Sequence, residues 1–595
     1  MTEQTIQRKF GLVVHATHEA GIKLGGIGAV LEGLLSSGTY LTNVERTVLV
    51  GTMDTDDPVQ MERLTSPRNR FQVAFSTYHG VDQVDRRLSA RFTSLAAAYN
   101  VHLLYGRRAF GGTQHEVILV DGRRAELQRL NAFKRALYAH FGLESDRYEH
   151  YPEYSLYVNA AEPAYMALKA LVSGQVTGEK FIIAHEFMGL PFAFAAQIHD
   201  FGDYHTVFYA HEVATVRPLI ENHPGHDTVF YNVMRSARRR GLYLEDVFGN
   251  QSGFFKHALI RRAIYCDNIF AVSDQIAEEL RFLDPAFEEA PIDLVYNGIP
   301  GEEIGPEEKR ASKALLQQYA LNLDLFPKPP DYVFTHVTRL IPSKGLWRDI
   351  RVMEHLDSAL ARAGKRAVLF ILATTVPAGR SPEEVRRMER TYGWPVVHRE
   401  GQPDLIGHEI PLYHAIRAFN GRAHASRIVL VNQYGWSRDR CGERMPEAMQ
   451  FRDLRRGTDL EFGQSTYEPF GIAQLEPLTY GALCVLSSVC GSLGFLRQVA
   501  GEALPPAIVV ADYTALPPGF ADKDCRTLLS LGQAERDVVE MTVARQVAAQ
   551  VMERLPKDDE AVEALLAQGA ALSQRMGWET VVRDYLLPGL SRAIR

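Results

Sequence analysis

The sequence predicts an α/β protein made of two Rossmann-like domains in tandem, each built on a parallel sheet, with the sheets facing a central cleft. Three observations carry the two-domain reading. Short apolar runs alternate with longer amphipathic or mixed stretches, the pattern of parallel strands joined by crossover helices. The alternation occurs twice along the chain. Between the two series, from about Gly301 to Pro330, the chain turns charged and then proline-punctuated, ending Phe326-Pro327-Lys328-Pro329-Pro330, a poor sequence for continuing a sheet. A chain of 595 residues, 46% hydrophobic, is long enough for more than one core.

The first domain is expected over residues 1–300. Its strand candidates are Phe10–His15, Thr47–Val50, Phe71–Phe75, Val101–Tyr105, Phe181–His185, Thr206–Ala210 and Ile269–Ser273, with central positions that read as buried. Within it, about 53–160 reads as an insertion to which the sequence assigns no role. Residues 301–330 are expected as a linker. The second domain, 331–570, has candidates at Tyr332–Val337, Ala367–Ala373, Arg427–Val431, Leu483–Ser487 and Ala507–Val510. The chain from about Ala561 is helical in composition, and residues 571–595 are expected as a C-terminal helix. No short repeat, low-complexity tract or long heptad run interrupts this plan.

Composition narrows the function. A formal net charge of −7, with both signs spread along the chain, offers no basic tail or stripe for nucleic acid. The five cysteines, Cys266, Cys441, Cys484, Cys490 and Cys525, form no Cys-x-x-Cys pair, which argues against a disulfide framework and a structural zinc site. No His-Glu-x-x-His cluster occurs, so no metal is expected. The opening Met1-Thr2-Glu3-Gln4 lacks a charged segment followed by an apolar one, and no uncharged apolar run approaches membrane-spanning length. The chain is therefore expected in the cytoplasm, without nucleic-acid or membrane partners; a homo-oligomer stays open.

Three segments have the residue types for chemistry. Lys23-Leu24-Gly25-Gly26-Ile27-Gly28 lies after the first strand and before a helix expected over Ala29–Leu35. Glycines let a backbone approach a phosphate, amides at a helix start are unpaired donors, and Lys23 adds a full charge. The alternative is a tight turn with no ligand. Arg339-Leu340-Ile341-Pro342-Ser343-Lys344-Gly345 follows the strand that opens the second domain. Two cations at the carboxyl end of a parallel strand lie where open α/β sheets bind ligands, and a pyrophosphate leaving group needs such compensation. The alternative is a solvated loop. Glu468-Pro469-Phe470-Gly471-Ile472-Ala473-Gln474-Leu475-Glu476 sets two carboxylates across an expected helix start near Gly471. They would bracket a ligand whose phosphates sit at the helix N-terminus, or Glu468 would only cap the helix. The turn Cys490-Gly491-Ser492-Leu493-Gly494 would add backbone donors. His185-Glu186 and His211-Glu212 end or follow strand candidates, where histidines are either site residues or satisfied structural ones.

In this order the segments resemble the retaining glycosyltransferases of the GT-B fold, and within them the glycogen and starch synthases with their sucrose-synthase-like relatives. Lys23 to Gly28 is similar to the Lys-x-Gly-Gly loop of glycogen synthases, Arg339 and Lys344 to their phosphate-binding pair, and Glu468 and Glu476 to the Glu-x7-Glu signature of retaining enzymes. The stretch from His185-Glu186-Phe187 through Thr206–His211 to Ala271-Val272-Ser273, with Phe230-Tyr231-Asn232, is similar to the animal and fungal glycogen synthases. Trp578 and Tyr585 resemble the terminal helix that crosses back to the first domain in this fold.

The resemblance implies an acceptor-side first domain and a nucleotide-sugar-binding second domain. It implies Lys23, Gly25, Gly26, Arg339, Lys344, Gly471 and Ile472 around the donor diphosphate, Glu476 at the ribose and Glu468 at the hydroxyls of the transferred sugar. His211 would line the reacting sugar, with His185 and Glu186 on the acceptor side. The implied reaction moves glucose from ADP-glucose or UDP-glucose to an α-glucan with retained configuration, without cofactor or essential metal. Transfer to a small sugar or sugar phosphate, as in sucrose- or trehalose-forming relatives, shares the same donor motifs, and a non-catalytic sugar-binding scaffold shares the fold. Phe187 departs from the family, which often has tryptophan there. The arginines at 238–240 and 452–456 do not match the activating helix of the animal and fungal enzymes.

Overall fold

The computed structural model describes residues 10–174, 176–222, 226–375, 380–398, 401–402, 404–433, 435–501 and 503–594. The opening Met1-Thr2-Glu3-Gln4 lies outside them. The chain divides into two compact units. One holds the chain through Val216 together with Leu242–Gly298 and Trp578–Arg595; the other holds Arg217–Gly241 and Ile299–Gly577.

The first unit is built on a ten-stranded sheet. Its strands are β1 (Phe10–Ala16), β2 (Val44–Thr52), β3 (Phe71–Ser76), β4 (Val81–Asp82), β5 (His102–Phe110), β6 (Thr113–Asp121), β7 (Lys180–His185), β8 (His205–Ala210), β9 (Asn268–Ala271) and β10 (Ile292–Leu294). The spatial order is β10-β9-β8-β7-β1-β2-β6-β5-β3-β4. From β10 to β6 every neighbouring pair is parallel, and β1 is buried at every position, as strands covered on both faces must be.

The all-parallel expectation fails beyond β6. There β6, β5, β3 and β4 pair antiparallel, so the strands of the unassigned insertion form an edge extension of the main sheet. Hairpin strands need no crossover helix between them, which is why Phe110-Gly111-Gly112-Thr113 passes directly from β5 to β6. Over β2 and β6 lies a 21-residue helix, Pro152–Val172, with its tyrosines Tyr154 and Tyr165 fully buried.

The second unit is a six-stranded, wholly parallel sheet of β11 (Tyr332–Val337), β12 (Ala367–Leu372), β13 (Ser426–Val431), β14 (Leu460–Gly463), β15 (Leu483–Ser487) and β16 (Ile508–Ala511). Its order, β13-β12-β11-β14-β15-β16, is that of a doubly wound nucleotide-binding fold. The sequence reading missed β14. At its centre Glu461 interrupts the apolar run, yet the carboxylate is wholly buried because Arg455, the Thr335 hydroxyl and the Val337 amide satisfy it.

Two further expectations change. Most of the presumed linker 301–330 is a helix, Pro306–Asn322, that buries Leu316, Tyr319 and Ala320 in the core of the second unit. Its buried Lys309 makes a charged segment compatible with that core by donating to the carbonyls of Thr458 and Tyr480, each at 2.8 Å. Residues 226–238, inside the expected first domain, form a helix belonging to the second unit. It is held by Asp227, which pairs with Arg348 at 2.7 and 2.9 Å; both are wholly buried, and Glu540 takes the guanidinium from another side at 3.2 Å.

The C-terminal segment packs on the first unit. Glu579 caps the helix Gly38–Asn43 by accepting from the amides of Gly38 and Thr39 and from the Ser37 hydroxyl, at 2.7–2.9 Å. Among the described residues no helix is long and apolar enough to cross a membrane.

Candidate functional site

In the first sheet the chain order reverses between β1 and β7, and in the second between β11 and β14. At such switch points the loops leaving the two strands diverge, and the carboxyl edge opens to a ligand. The candidate residues gather at these two places.

In the first unit, His15 is the penultimate residue of β1, His185 ends β7 and His211 follows β8. Their rings form one hydrogen-bonded row: His15 Nδ1 lies 2.9 Å from His185 Nε2, and His185 Nδ1 lies 2.8 Å from His211 Nε2. The His185 and His211 rings are parallel within 3°. Beyond His15 the row continues through Tyr40 Oη at 3.1 Å to Thr47 Oγ1 at 3.0 Å. Burial holds His15 and His211 down at about 3 and His185 well below its ordinary value, so all three imidazoles are neutral at pH 7.

His185 is wholly buried and Glu186 nearly so. The Glu186 carboxylate accepts from the amides of His211 and Glu212 and fixes the backbone that carries the His211 ring. Glu186 adopts φ of +59°, a costly conformation outside glycine, held where it positions a loop.

Lys23 and Gly25 lie on an exposed loop and Gly26 opens the helix Gly26–Ser36, which starts three residues earlier than expected. The loop is not an empty cradle, since Glu19 Oε2 accepts from the amides of Leu24 and Gly25 at 2.6 and 2.7 Å. A carboxylate thus already sits where the sequence suggested a phosphate. The Lys23 ammonium has no partner among the described residues. Also in this unit, His18 Nε2 lies 3.8 Å from Glu19, and its buried Nδ1 has no partner among the described residues. Lys256 pairs with Glu153 at 2.9 Å and lies 4.7 Å over the Phe187 ring.

In the second unit the two switch-point loops are tied together, the Thr466 amide donating to the Ser343 carbonyl at 2.7 Å. Lys344 Nζ donates to Glu468 Oε2 at 2.5 Å, and the same oxygen accepts from Gln474 Nε2 at 2.7 Å and from the Ser465 hydroxyl at 3.3 Å. Arg339 is exposed, and its guanidinium has no partner among the described residues.

Gly471 has φ of +90°, and a Cβ there would meet Cys490 Sγ at 2.9 Å and Glu468 Cγ at 3.1 Å, so the close approach of these strands of chain depends on glycine. Glu468 does not cap the helix after it, which removes the capping alternative. That helix, Ile472–Leu475, is only four residues long and continues as a tighter turn over Glu476–Tyr480, so the dipole argument for phosphate binding loses its basis. The expected donors at 490–492 are likewise occupied: Gly491 donates to the Glu468 carbonyl and Ser492 to that of Phe470, both at 2.9 Å. Glu476 is half-buried and accepts from Arg455 Nε at 3.2 Å, while the same guanidinium holds Glu461 at 3.1 Å.

No protein-family model matches the sequence, and comparison with curated proteins found none that matches. Solved structures do. The catalytic domain of starch synthase IV from Arabidopsis thaliana, bound to ADP and acarbose, aligns over 99% of this chain and 100% of that one, with a TM-score of 0.51 at 13% identity. A UDP-forming α,α-trehalose-phosphate synthase from Burkholderia xenovorans covers 98% of this chain and 100% of its own, with a TM-score of 0.48 at 13% identity.

The fold is that of GT-B glycosyltransferases. Within this GT-B frame the expected residues form two groups, one per unit: Lys23, Gly25, Gly26, His185, Glu186 and His211 in the first, Arg339, Lys344, Glu468, Gly471, Ile472 and Glu476 in the second. Sequence reasoning passed over His15, His18, Glu19 and Tyr40 in the first group and Ser465, Gln474 and Arg455 in the second. For His15 a signal existed, a histidine closing an apolar strand beside the glycine-rich loop. For Tyr40 none did, since nothing local ties residue 40 to residue 15.

Proposed function

We propose that this protein is a retaining glycosyltransferase that moves glucose from ADP-glucose or UDP-glucose to an α-glucan. The observation that carries the reading is the meeting of Lys344 and Glu468, 124 residues apart in sequence, at the switch point of the second sheet, Lys344 lying on the loop that also carries Arg339, whose guanidinium has no partner among the described residues. A cation pair and a buried-edge carboxylate are what a sugar diphosphate needs. Arg339 and Lys344 hold the diphosphate and take up the charge that grows as its bond to the sugar breaks. Glu468 exchanges its bond to Lys344 for the hydroxyls of the transferred sugar, and Glu476 takes the ribose. Gly471 and Ile472 bring backbone close to the donor, and in the first unit Lys23, Gly25 and Gly26 are the residues proposed for a phosphate.

His211 lines the reacting sugar, with His185 and Glu186 acting through it. Retention follows from attack on the face the diphosphate leaves, the departing phosphate oxygen taking the acceptor proton. Rate enhancement comes from positioning and charge stabilisation, and no metal or cofactor enters the proposal.

One observation favours a second reading, transfer to a small sugar or sugar phosphate. Phe187 is only 4% exposed, packed edge-on against Tyr157 and Phe255, and so offers no open aromatic platform to a glucan chain. The Lys256 ammonium over its ring would suit a phosphate. Nucleoside diphosphate release from ADP- and UDP-sugars, each offered glycogen, maltooligosaccharides, hexoses and hexose phosphates, separates the two. Release with glucans alone supports the first reading and release with hexose phosphates alone the second. Donor binding without release on any acceptor would leave a scaffold.

A further inference from the structure

We infer that Thr47, Tyr40, His15 and His185 form a polarised hydrogen-bond chain that holds His211 in the tautomer with its proton on Nδ1, so that His211 meets the site as a hydrogen-bond donor and not as a base. Only the catalytic meaning of that donor rests on the proposed function; the tautomer itself does not.

A neutral imidazole has one N–H and one lone pair. His185 uses both nitrogens within the chain, Nε2 toward His15 and Nδ1 toward His211. His15 likewise uses Nδ1 toward His185 and Nε2 toward Tyr40. The Tyr40 hydroxyl has one proton and two neighbours, His15 Nε2 and Thr47 Oγ1. Each bond carries one proton, and each imidazole passes the direction on, since it donates on one side and accepts on the other. The Tyr40 oxygen could accept from both neighbours, but its own wholly buried proton would then be stranded. That leaves two fillings, all donors pointing away from His211 or all pointing toward it.

They are not equivalent at the buried end. Pointing away, His211 Nε2 donates to His185, His185 to His15, His15 to Tyr40 and Tyr40 to Thr47. The Thr47 proton then has no acceptor, because Tyr40 is the one hydrogen-bond partner of that hydroxyl among the described residues and Thr47 is buried. Pointing toward, Thr47 donates to Tyr40 Oη, Tyr40 to His15 Nε2, His15 Nδ1 to His185 Nε2 and His185 Nδ1 to His211 Nε2. Every proton within the chain is placed, and the one left over, on His211 Nδ1, belongs to a ring that is only half-buried and can reach water, as the buried Thr47 hydroxyl cannot. A buried donor left without an acceptor biases such an equilibrium by about tenfold or more.

In the favoured filling His211 Nε2 is an acceptor, its proton is on Nδ1, and that nitrogen has no hydrogen-bond partner among the described residues. Tyr40, His15 and His185 are wholly buried, so they bear on the reaction only through His211 and are positioning residues. The fixed N–H suits an oxygen that gains negative charge, as a breaking glycosyl phosphate bond or a sugar hydroxyl would supply.

Protein labelled with ¹⁵N at histidine tests the proposal, because long-range ¹H–¹⁵N correlations distinguish a protonated ring nitrogen from an unprotonated one. The His211 signals are assigned by their loss in His211→Gln. At pH 7 the expected pattern is His211 protonated on Nδ1, with His15 and His185 likewise; His211 protonated on Nε2 overturns the proposal. Tyr40→Phe removes the link that biases the chain, and a mixture of His211 tautomers is expected. In Thr47→Val the Tyr40 proton keeps His15 as its sole acceptor, so the Nδ1–H form should persist. A pure Nδ1–H His211 in Tyr40→Phe, or an Nε2–H form in Thr47→Val, would show that something else sets the tautomer. Where transfer activity is found, Tyr40→Phe is expected to lower kcat about tenfold with KM for the donor within twofold. A protein with no transfer activity would refute the functional reading while leaving the tautomer result standing.

Discussion

Arg339 and Lys344 differ in a way that separates function from stability. The Arg339 guanidinium is exposed and unpaired among the described residues, so Arg339→Ala should leave the melting temperature unchanged while lowering turnover by about 10²-fold or more. Lys344→Ala should cost as much turnover and also release Glu468 from its 2.5 Å bond. Unchanged turnover in Arg339→Ala would remove it from the donor site. The buried histidines make a second residue-scale prediction. His15 and His211 are held at about 3, below their ordinary 6.5, so between those values the unfolded chain binds protons that the folded one does not. Their contribution to stability is therefore complete above about pH 6.5 and lost as pH falls toward 3, at on the order of 1 kcal/mol per pH unit for each. Urea midpoints between pH 7.5 and 5 that do not shift would contradict it. Charged residues next to strand ends were legible because charge there has few structural uses. The hydrogen-bonded row behind His211 was not, because it joins residues 15, 40, 185 and 211 through space alone.

At the scale of elements, the helix Gly26–Ser36 offers a test in which two effects oppose each other. Replacing a helical glycine by alanine ordinarily gains up to about 1 kcal/mol. At Gly33 the new Cβ would lie 2.1 Å from the Trp578 indole, so Gly33→Ala is expected to lower stability instead, and a raised melting temperature would contradict the packing of the C-terminal segment. The helix His226–Arg238 depends on a buried ion pair, and Asp227→Ala leaves the Arg348 charge without its main partner. A loss of about 3–5 kcal/mol in denaturant unfolding is expected, and a loss below about 1 kcal/mol would contradict the geometry. A strand with a nearly unbroken apolar run was legible to the residue, as β15 shows. Where a buried ion pair replaces apolar residues, as at Glu461 in β14, composition conceals the strand. The antiparallel extension was hidden for another reason, since strand candidates such as Phe71–Phe75 look alike whichever direction their partner runs.

For the molecule as a whole, the doubled α/β plan was readable because each series of buried strands has to be covered on both faces, which imposes alternation on the sequence. Membership of the units was less so. The helix at 226–238 and the segment from Trp578 are exchanged between the two series, and only the side chains that anchor them, Asp227 on Arg348 and Glu579 on the helix start at Gly38, show where each belongs. Transfer of a sugar from a nucleotide donor is the central proposal, and it calls on His211 of the first unit and Arg339 of the second. The most direct measurement is nucleoside diphosphate release from ADP-glucose and UDP-glucose across glucan and small-sugar acceptors, with wild type beside His211→Ala and Arg339→Ala. Acceptor-dependent release from one of the two donors, lost about 10²-fold in each variant, is the predicted result. No release with any acceptor, or release indifferent to both substitutions, would contradict the account.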